Sequence, residues 1–485
     1  MLRLAAITCL LFGLITSAVA QIRVSDNHRF LADSTGRPFF WLGDTDWELF
    51  HRMNREEADQ FLETRKKQGF NVIQAVALAE FNGIRQPNRY GDWPLNNEDP
   101  TQLNITPGND PKNAYEYDYW DHVDYIIGKI IEKGMYVGLL PTWGDKVTKM
   151  WGEGPMIFTP ANAEVYGRTI ATRYKDRKGK IIWILGGDRP PFYKAKENNV
   201  EVERDVRPVW DAMAKAIEEV LGKDSFITYH PSGAQSSSPY LHTNEWLDMN
   251  AIQSGHGTRD MEPWKMLATD LSLKPTKPVL DMEPCYEDHP VNPWDGKWTR
   301  AGRGYFSAYD VRARIYRGVF AGGCGVTYGH HAIWGFANKE LYAPINNGDT
   351  LLTWQQASEA AAANQMKHLK DLMLSRPYFV RVPDQSIILS NAGTDWKDLL
   401  IATRDANNTY AFIYLPQNQP VTIDVSRISG TTKKVYWFSP ETGKVTPGPD
   451  VKSGQRTMTP PKEGTDWVLV IDDASRKYPA PGKVE

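Results

Sequence analysis

The stretch Ile181-Ile182-Trp183-Ile184-Leu185-Gly186-Gly187-Asp188 indicates the fold, because an unbroken apolar run ends there in two glycines and a carboxylate. Strands that are buried on both faces of a parallel sheet have continuous apolar runs of this kind. Seven further runs lie between residues 38 and 375. The predicted strands are Phe39–Gly43, Val72–Leu78, Tyr136–Leu140, Ile181–Leu185, Phe226–Tyr229, Asn250–Gln253, Pro278–Met282 and Gly325–Tyr328.

The segments between these runs have the apolar spacing of helices that cover a sheet. Eight strand–helix units over about 340 residues fit a closed (β/α)8 barrel, the TIM barrel of the α/β class, better than an open doubly wound sheet. Long connections, residues 79–118 and 189–204, follow the second and fourth strands. The predicted helices are Arg55–Gln68, Tyr119–Glu132, Ala161–Tyr174, Asp205–Leu221, Trp264–Leu273, Tyr309–Phe320 and Trp354–Leu374.

Beyond residue 375 the pattern changes to short β-rich runs separated by Gly, Pro, Asn and Asp, which predicts a C-terminal antiparallel β-sandwich. We therefore expect a catalytic barrel over residues 21–375, with an N-terminal hairpin at residues 22–33, and a sandwich over residues 376–485. The predicted sandwich strands are Ser386–Leu389, Leu399–Ala402, Tyr410–Leu415, Val421–Val425, Val435–Phe438 and Trp467–Ile471.

Residues 1–20 have the features of a signal peptide: Arg3, an apolar core over Leu4–Ile15, and the small residues Ala18-Val19-Ala20 before the cleavage point. We expect an exported protein, periplasmic or extracellular. The mature chain would keep two cysteines, Cys285 and Cys324. They could form one disulfide, but two buried thiols on neighbouring strands are the simpler interpretation, since the fold does not depend on disulfides.

The charge balance excludes several kinds of partner. Lys and Arg total 56 and Asp and Glu total 59, so the net charge is −3. Such a chain has no general attraction for nucleic acid or anionic lipid. After the leader, no apolar stretch is long enough for membrane insertion. Aromatic residues make up 12% of the chain, with 17 Trp, which suits a protein that packs flat rings against a ligand. We expect a monomer.

Two carboxylates lie at predicted strand ends, where barrels carry their active sites. Asp188 ends the fourth strand and Glu283 follows the seventh, in Asp281-Met282-Glu283-Pro284. Two such groups about 5 Å apart are what a retaining glycosidase needs, one as acid/base and one as nucleophile. Taken singly, Asp188 could instead cap a helix, and Glu283 could form a structural salt bridge with Arg189.

Three segments, Arg37–Trp47, Trp183–Asp188 and Asp281–Pro284, resemble the apiosidase-like glycoside hydrolases of family 140. The resemblance covers nearly the whole mature chain, including a C-terminal domain labelled collagen-binding in that family. It implies a retaining (β/α)8 enzyme with Asp188 as acid/base and Glu283 as nucleophile. The implied substrate is the apiose–galacturonic acid linkage of the pectin rhamnogalacturonan II. Most members of the wider clan have Asn before the acid; here it is Gly187, so the contact to the sugar 2-hydroxyl must come from elsewhere.

Other polar and aromatic residues at predicted strand ends are candidates for the wall that binds a polysaccharide or oligosaccharide. Sugars present hydroxyls to polar groups and apolar faces to Trp and Tyr, and Arg189 could pair with an acidic sugar. For each residue, core packing or a loop hydrogen bond is the alternative. The candidates are Asp46, Trp47, Trp143, Arg189, Tyr229, His230, Gln253, His256, His331 and Trp334.

Neither a metal nor another cofactor is expected. His330 and His331 are adjacent on a strand and would point to opposite faces, and no metal-binding spacing of His or Cys occurs in the sequence. A retaining glycosidase of pectic polysaccharide is the leading hypothesis. The alternatives are a glycosidase that uses the same carboxylates on another glycan, and a non-catalytic barrel that binds glycan or collagen.

Overall fold

The computed structural model describes residues 21–197, 199–339 and 352–484. The predicted signal peptide lies outside these residues. The strands of the first domain are β1 (Arg23–Val24), β2 (Leu31–Ala32), β3 (Pro38–Phe39), β4 (Trp41–Thr45), β5 (Val72–Leu78), β6 (Tyr136–Thr142), β7 (Ile181–Gly186), β8 (Phe192–Glu197), β9 (Val200–Asp205), β10 (Ile227–His230), β11 (Gln235–Ser236), β12 (Asn250–Gln253), β13 (Val279–Asp281) and β14 (Gly325–Tyr328).

Its helices cover the outside of the sheet. They are α1 (Leu49–Arg52), α2 (Arg55–Lys67), α3 (Tyr119–Glu132), α4 (Pro160–Arg173), α5 (Arg207–Leu221), α6 (Ser238–Leu241), α7 (Pro263–Ser272), α8 (Ala308–Phe320), α9 (Trp354–Ala357) and α10 (Ala361–Leu374). Capping boxes fix where four of the long helices begin, with N-caps at Asn54, Asp118, Thr159 and Ser307. Each N-cap side chain accepts a backbone N–H that would otherwise have no partner.

The predicted barrel is confirmed. Strands β14, β4, β5, β6, β7 and β10 form one parallel sheet in that order, and β12 pairs in parallel with β13. Two sparse contacts complete the ring: Thr228 pairs with Met249, and the backbone N–H of Cys324 donates to the carbonyl of Val279 over 3.0 Å. The eight strands therefore place their carboxyl ends, and the residues that follow them, around one opening.

The second domain contains the strands β15 (Arg381–Pro383), β16 (Ile401–Asp405), β17 (Tyr410–Leu415), β18 (Val421–Asp424), β19 (Lys433–Phe438), β20 (Val445–Pro447), β21 (Gln455–Met458) and β22 (Trp467–Asp473). Six of them form an antiparallel sheet in the order β15-β16-β17-β22-β19-β20, and β18 pairs with β21. This confirms the antiparallel C-terminal domain.

The central sheet of this domain is buried on both faces. Along β17, Phe412 and Tyr414 pack into the same core as the barrel, whereas Ala411 and Ile413 face the inner core of the domain. Successive residues of a strand point to opposite faces, so one strand serves two cores. The ring of Tyr414 also stacks on Tyr316 of α8, with 5.2 Å between the ring centroids. The two domains thus share one apolar interface.

Several predicted boundaries are wrong in detail. The helix predicted over Trp354–Leu374 is two helices, α9 and α10, with a break between them. The strand predicted over Ser386–Leu389 is instead a 3-10 turn at Gln385–Ile387, which Asp384 caps. The leading hairpin gains β3 as a third strand. The connection 189–204, expected as a loop, contains the hairpin β8–β9; Val200-Glu201-Val202-Glu203 alternates apolar and charged residues, but the strand is mostly exposed.

Cys285 and Cys324 are both free and buried, which confirms two buried thiols. Their expected position on neighbouring strands is wrong, because Cys285 follows β13 and Cys324 precedes β14. Among the described residues, no helix combines the length and apolar character needed to cross a membrane.

Candidate active site

The turn after β7 holds its residues in a left-handed backbone conformation. Gly186, Gly187 and Asp188 have φ values of 87°, 113° and 53°. A Cβ on Gly187 would lie 2.8 Å from the backbone nitrogen of Gly144 and 2.9 Å from the ring of Trp143. No side chain fits at position 187, which explains why glycine stands before the acid. A non-glycine residue such as Asp188 in this region is strained, a condition that clusters at functional sites.

Two imidazoles contact the carboxylate of Glu283. Nε2 of His230 lies 2.9 Å from Oε2 of Glu283, and Nε2 of His256 lies 3.1 Å from Oε1. Each ring also receives a backbone N–H at Nδ1, from Asp188 over 3.3 Å for His230 and from Tyr286 over 3.2 Å for His256. Because Nδ1 accepts in both rings, the proton of each neutral imidazole is on Nε2. His256 donates this proton to Oε1 in a hydrogen bond, whereas Nε2 of His230 lies close to Oε2 without the geometry of a hydrogen bond.

These contacts determine the charge of Glu283. Burial alone would raise the pKa of the carboxyl group, but the contacts from His230 and His256 outweigh burial and lower the pKa to about 2. The group is therefore ionised and oriented across the physiological pH range, as a nucleophile must be.

Asp188 has the opposite environment. Burial and the negative charge of Glu283 raise its pKa, and the opposing effects of Arg189, His230 and Trp151 do not reverse that direction. The indole N–H of Trp151 donates to Oδ2 over 3.2 Å, and Nη1 of Arg189 lies 3.3 Å from the same oxygen. Both donors use Oδ2, so Oδ1 is the oxygen left to carry a proton toward a ligand.

Both carboxyl groups line one cavity of about 710 Å³ at the mouth of the barrel. Five residues of the predicted wall also line it: Trp47, Trp143, Gln253, His256 and Trp334. The indole N–H of Trp47 donates to the hydroxyl of Tyr286 over 3.2 Å, which fixes that ring in the wall. A cavity with aromatic walls and few polar groups is the usual form of a small-molecule site.

The remaining predicted wall residues do not line this cavity. Tyr229 points away from it, because it neighbours His230 on a strand and so faces the opposite side. Its hydroxyl donates to the carbonyl of Arg189 over 2.9 Å. His230 lies behind Glu283, and His331 packs edge-on against His289, with 4.7 Å between centroids. These three side chains support the site from behind.

Asp46 and Arg189 also lie outside the cavity wall. Asp46 is buried beside Asp44, which pairs with Arg65, and burial together with the charge of Asp44 raises the pKa of Asp46 well above its ordinary value. Arg189 is fully buried: its Nη1 donates to the carbonyl of Asp188 over 2.8 Å and its Nη2 to the carbonyl of Trp151 over 2.6 Å. The expectation that Arg189 faces an acidic sugar is wrong, because its donors hold the acid and its loop.

Several lining residues were not predicted, and most lie on loops. Trp151 lies on the loop after β6, and the guanidinium of Arg189 packs over its ring at 4.0 Å. His289 stacks on His256 at 4.2 Å, and burial lowers its pKa well below the ordinary value. Glu80 follows β5 by two residues and also lines the cavity. Only Glu80 carried a sequence signal, its position at a strand end.

No cluster of three or more His, Cys, Asp or Glu side chains suited to a metal ion occurs within residues 21–197, 199–339 and 352–484.

Comparison with known families assigns the first domain. The model of the apiosidase-like catalytic domain matches residues 25–380. The chain belongs to the apiosidase-like family. A second family model matches residues 382–472, in the C-terminal domain of this apiosidase-like protein. That model describes the collagen-binding domain of a collagenase.

Solved structures agree with the assignment. A glycoside hydrolase family 5 protein from Bacteroides vulgatus is 32% identical, with a TM-score of 0.83, over 96% of this chain and 96% of that chain. A second structure, described as a glycoside hydrolase, is 32% identical, with a TM-score of 0.81, over 94% of this chain and 98% of that chain. Comparison with curated proteins gives no match. The apiosidase-like protein is a glycoside hydrolase.

Proposed function

We propose that this enzyme is a retaining glycosidase that cleaves the apiose–galacturonic acid linkage of rhamnogalacturonan II. One observation carries the mechanistic part: two carboxyl groups of one cavity have opposite pKa shifts, with Glu283 lowered to about 2 and Asp188 raised. Pairs whose environments separate their pKa values take the acid and base roles of a reaction.

In the first step, Asp188 donates a proton from Oδ1 to the glycosidic oxygen while Glu283 attacks the anomeric carbon. The bond from that carbon to the leaving oxygen breaks, and a covalent glycosyl-enzyme forms. The ester on Glu283 has no charge, so the electrostatic cause that raised the pKa of Asp188 is removed. Asp188 then accepts a proton from water, which attacks the anomeric carbon and releases Glu283.

Family membership supports the choice of the apiose linkage. The aromatic wall of Trp47, Trp143 and Trp334 supports a sugar ligand, since indole faces pack against the apolar faces of sugar rings. A polysaccharide substrate also agrees with the export that residues 1–20 predict, which we retain as part of the proposal.

Digestion of rhamnogalacturonan II tests the proposal, with products identified by mass spectrometry and the anomer first formed identified by NMR. We expect release at the apiose–galacturonic acid linkage with retained configuration. A panel of simpler pectic and neutral glycans is digested in parallel. If only another glycan is cleaved, with retained configuration, the proposed mechanism stands and the proposed substrate is overturned. If the configuration is inverted, the double-displacement mechanism is overturned.

A further inference from the structure

A third carboxyl group, that of Glu80, lines the catalytic cavity, and the double displacement does not use it. Both backbone polar groups of Glu80 make hydrogen bonds to side chains of neighbouring loops. The backbone N–H donates to Oε1 of Glu48 over 3.1 Å, and the carbonyl accepts from Nζ of Lys146 over 3.0 Å. The side-chain carboxyl makes no hydrogen bond or ion pair to any residue within the described ranges, so it is available to a ligand.

The neighbours of Glu80 place it on the side of the cavity that carries the acid. Burial raises its pKa to about 8; the charge of Arg189 opposes this, and the charges of Asp188, Asp145 and Glu48 add to it. These groups and Lys146 come from the loops after three strands: Glu48 follows β4, Asp145 and Lys146 follow β6, and Asp188 and Arg189 follow β7. Glu80 therefore lies on the Asp188 side of the cavity, and the proposed function puts the leaving group, whose oxygen Asp188 protonates, on that side.

The nearby cations are already engaged. Nζ of Lys146 lies 2.7 Å from Asp145, and the guanidinium of Arg189 donates to the carbonyls of Lys149, Asp188 and Trp151. A cation free to bind an anionic sugar here would also lower the pKa of Asp188 and oppose its role as acid. A neutral carboxylic acid can donate a hydrogen bond to an anion without that effect.

We propose that Glu80, in its protonated form, binds the leaving-group sugar and selects a uronate there by donating its O–H to the sugar carboxylate. The proposal rests on the proposed function for the position of the leaving group. Two carboxyl groups that share one proton form a stable pair, whereas two ionised groups at hydrogen-bonding distance repel each other.

This binding mode has a defined pH dependence. Only protonated Glu80 binds the uronate, so above a pH of about 8 the KM for a uronate leaving group rises about tenfold per pH unit. The methyl ester of the same uronate carries no charge and shows no such rise. Glu80→Gln keeps the shape and a donor but cannot ionise, so its KM for the uronate stays level with pH.

The experiment measures KM from pH 6 to 9.5 for an oligosaccharide with a free uronate leaving group and for its methyl ester. It compares wild type, Glu80→Gln, Glu80→Ala and, as a surface control, Glu98→Gln, with folding checked by thermal melting. We expect the KM ratio of acid to ester to rise with pH in wild type and Glu98→Gln, and to stay level in Glu80→Gln. If the KM ratio rises with pH in Glu80→Gln as it does in wild type, the proposal is overturned. It is also overturned if Glu80→Ala raises the KM for the free uronate and for its methyl ester equally.

Direct binding separates this proposal from the proposed function. Isothermal titration of methyl galacturonoside and methyl galactoside into wild type and Glu80→Gln needs no turnover. Uronoside binding that weakens with pH in wild type alone supports the role of Glu80 even if rhamnogalacturonan II is not cleaved. Cleavage of the polysaccharide without a Glu80-dependent preference for uronoside overturns the role of Glu80 and leaves the proposed function intact.

Discussion

Nε2 of His230 lies 2.9 Å from Oε2 of Glu283, while Nδ1 of the same ring accepts the backbone N–H of Asp188. One imidazole thus connects the main chain of the acid to the side chain of the nucleophile. The position of one catalytic group therefore depends on the position of the other.

The first prediction concerns the division of work between the two carboxyl groups. Activity requires Glu283 ionised and Asp188 protonated, so kcat/KM should fall at low pH, near the pKa of about 2 of Glu283, and at high pH through the raised pKa of Asp188. Glu283→Gln should abolish turnover but leave substrate binding. Asp188→Asn should harm an aryl glycoside much less than the natural substrate, because an activated leaving group needs little protonation. If Asp188→Asn lowered the activity on the aryl glycoside and on the natural substrate equally, Asp188 would not be the acid.

The second prediction concerns His230. His230→Ala removes an imidazole whose Nε2 lies 2.9 Å from Glu283 and which lowers the pKa of that carboxyl group. The pKa of the nucleophile should therefore rise, and the acidic limb of the pH profile should move to higher pH. We expect kcat/KM to fall roughly tenfold to a hundredfold, because the ring that holds the carboxylate of Glu283 in position is lost. His256→Ala removes the hydrogen bond to Oε1 of Glu283 and, as a second test, should shift the same limb. An unchanged acidic limb in both variants would show that the imidazoles do not set the charge of Glu283.

The third prediction concerns Trp151, whose indole N–H donates to Oδ2 of Asp188. Trp151→Phe keeps an aromatic ring but removes a donor that favours the ionised acid, so the pKa of Asp188 should rise. The basic limb of kcat/KM should move to higher pH. Trp294→Phe is the control, because Trp294 lines the cavity beside His289 and makes no hydrogen bond to Asp188. Equal shifts in the two variants would rule out a specific effect of the indole.

The fourth prediction concerns the glycine before the acid. Gly187→Ala should destabilise the fold by about 1–3 kcal/mol and lower kcat about a hundredfold, because the methyl group displaces the turn that carries Asp188. Gly91 also has a positive φ, 92°, but a Cβ there meets nothing within 4 Å. Gly91→Ala should therefore show the backbone strain alone, with kcat unchanged. Thermal melting and steady-state kinetics on both variants make the comparison.

The fifth prediction concerns the interface between the domains. Asp466 is buried and accepts a bidentate contact from Arg312, at 2.7 and 2.9 Å. Asp466→Asn leaves the guanidinium of Arg312 buried without a charged partner, with only Gln365 still accepting from it, which should lower the free energy of unfolding by about 3 kcal/mol. The exposed pair of Lys434 and Asp450 is the control, and Asp450→Asn should change stability by less than about 1 kcal/mol. Urea denaturation measures both; similar losses would mean that burial of the pair is unimportant.

Much of the fold could be predicted from local patterns. Each barrel strand contains neighbouring apolar residues that local sequence shows directly, so the bounds predicted for Val72–Leu78 and Asn250–Gln253 agree with the structure to the residue. Asp188 and Glu283 could be found as well, since a carboxylate directly after a buried strand is costly unless it has a use. Strand parity could also have excluded Tyr229 once His230 was taken to face the site.

By itself, then, the sequence determined the order of the strands, the open end of the barrel and the pair of carboxyl groups that end two of its strands. Only the tertiary structure decided what surrounds that pair. Trp151 and His289 reach the cavity through loops without periodic patterns, and Arg189 turns inward to its own loop. A loop side chain takes its direction from contacts with residues far away in the chain, and local sequence carries no record of those contacts.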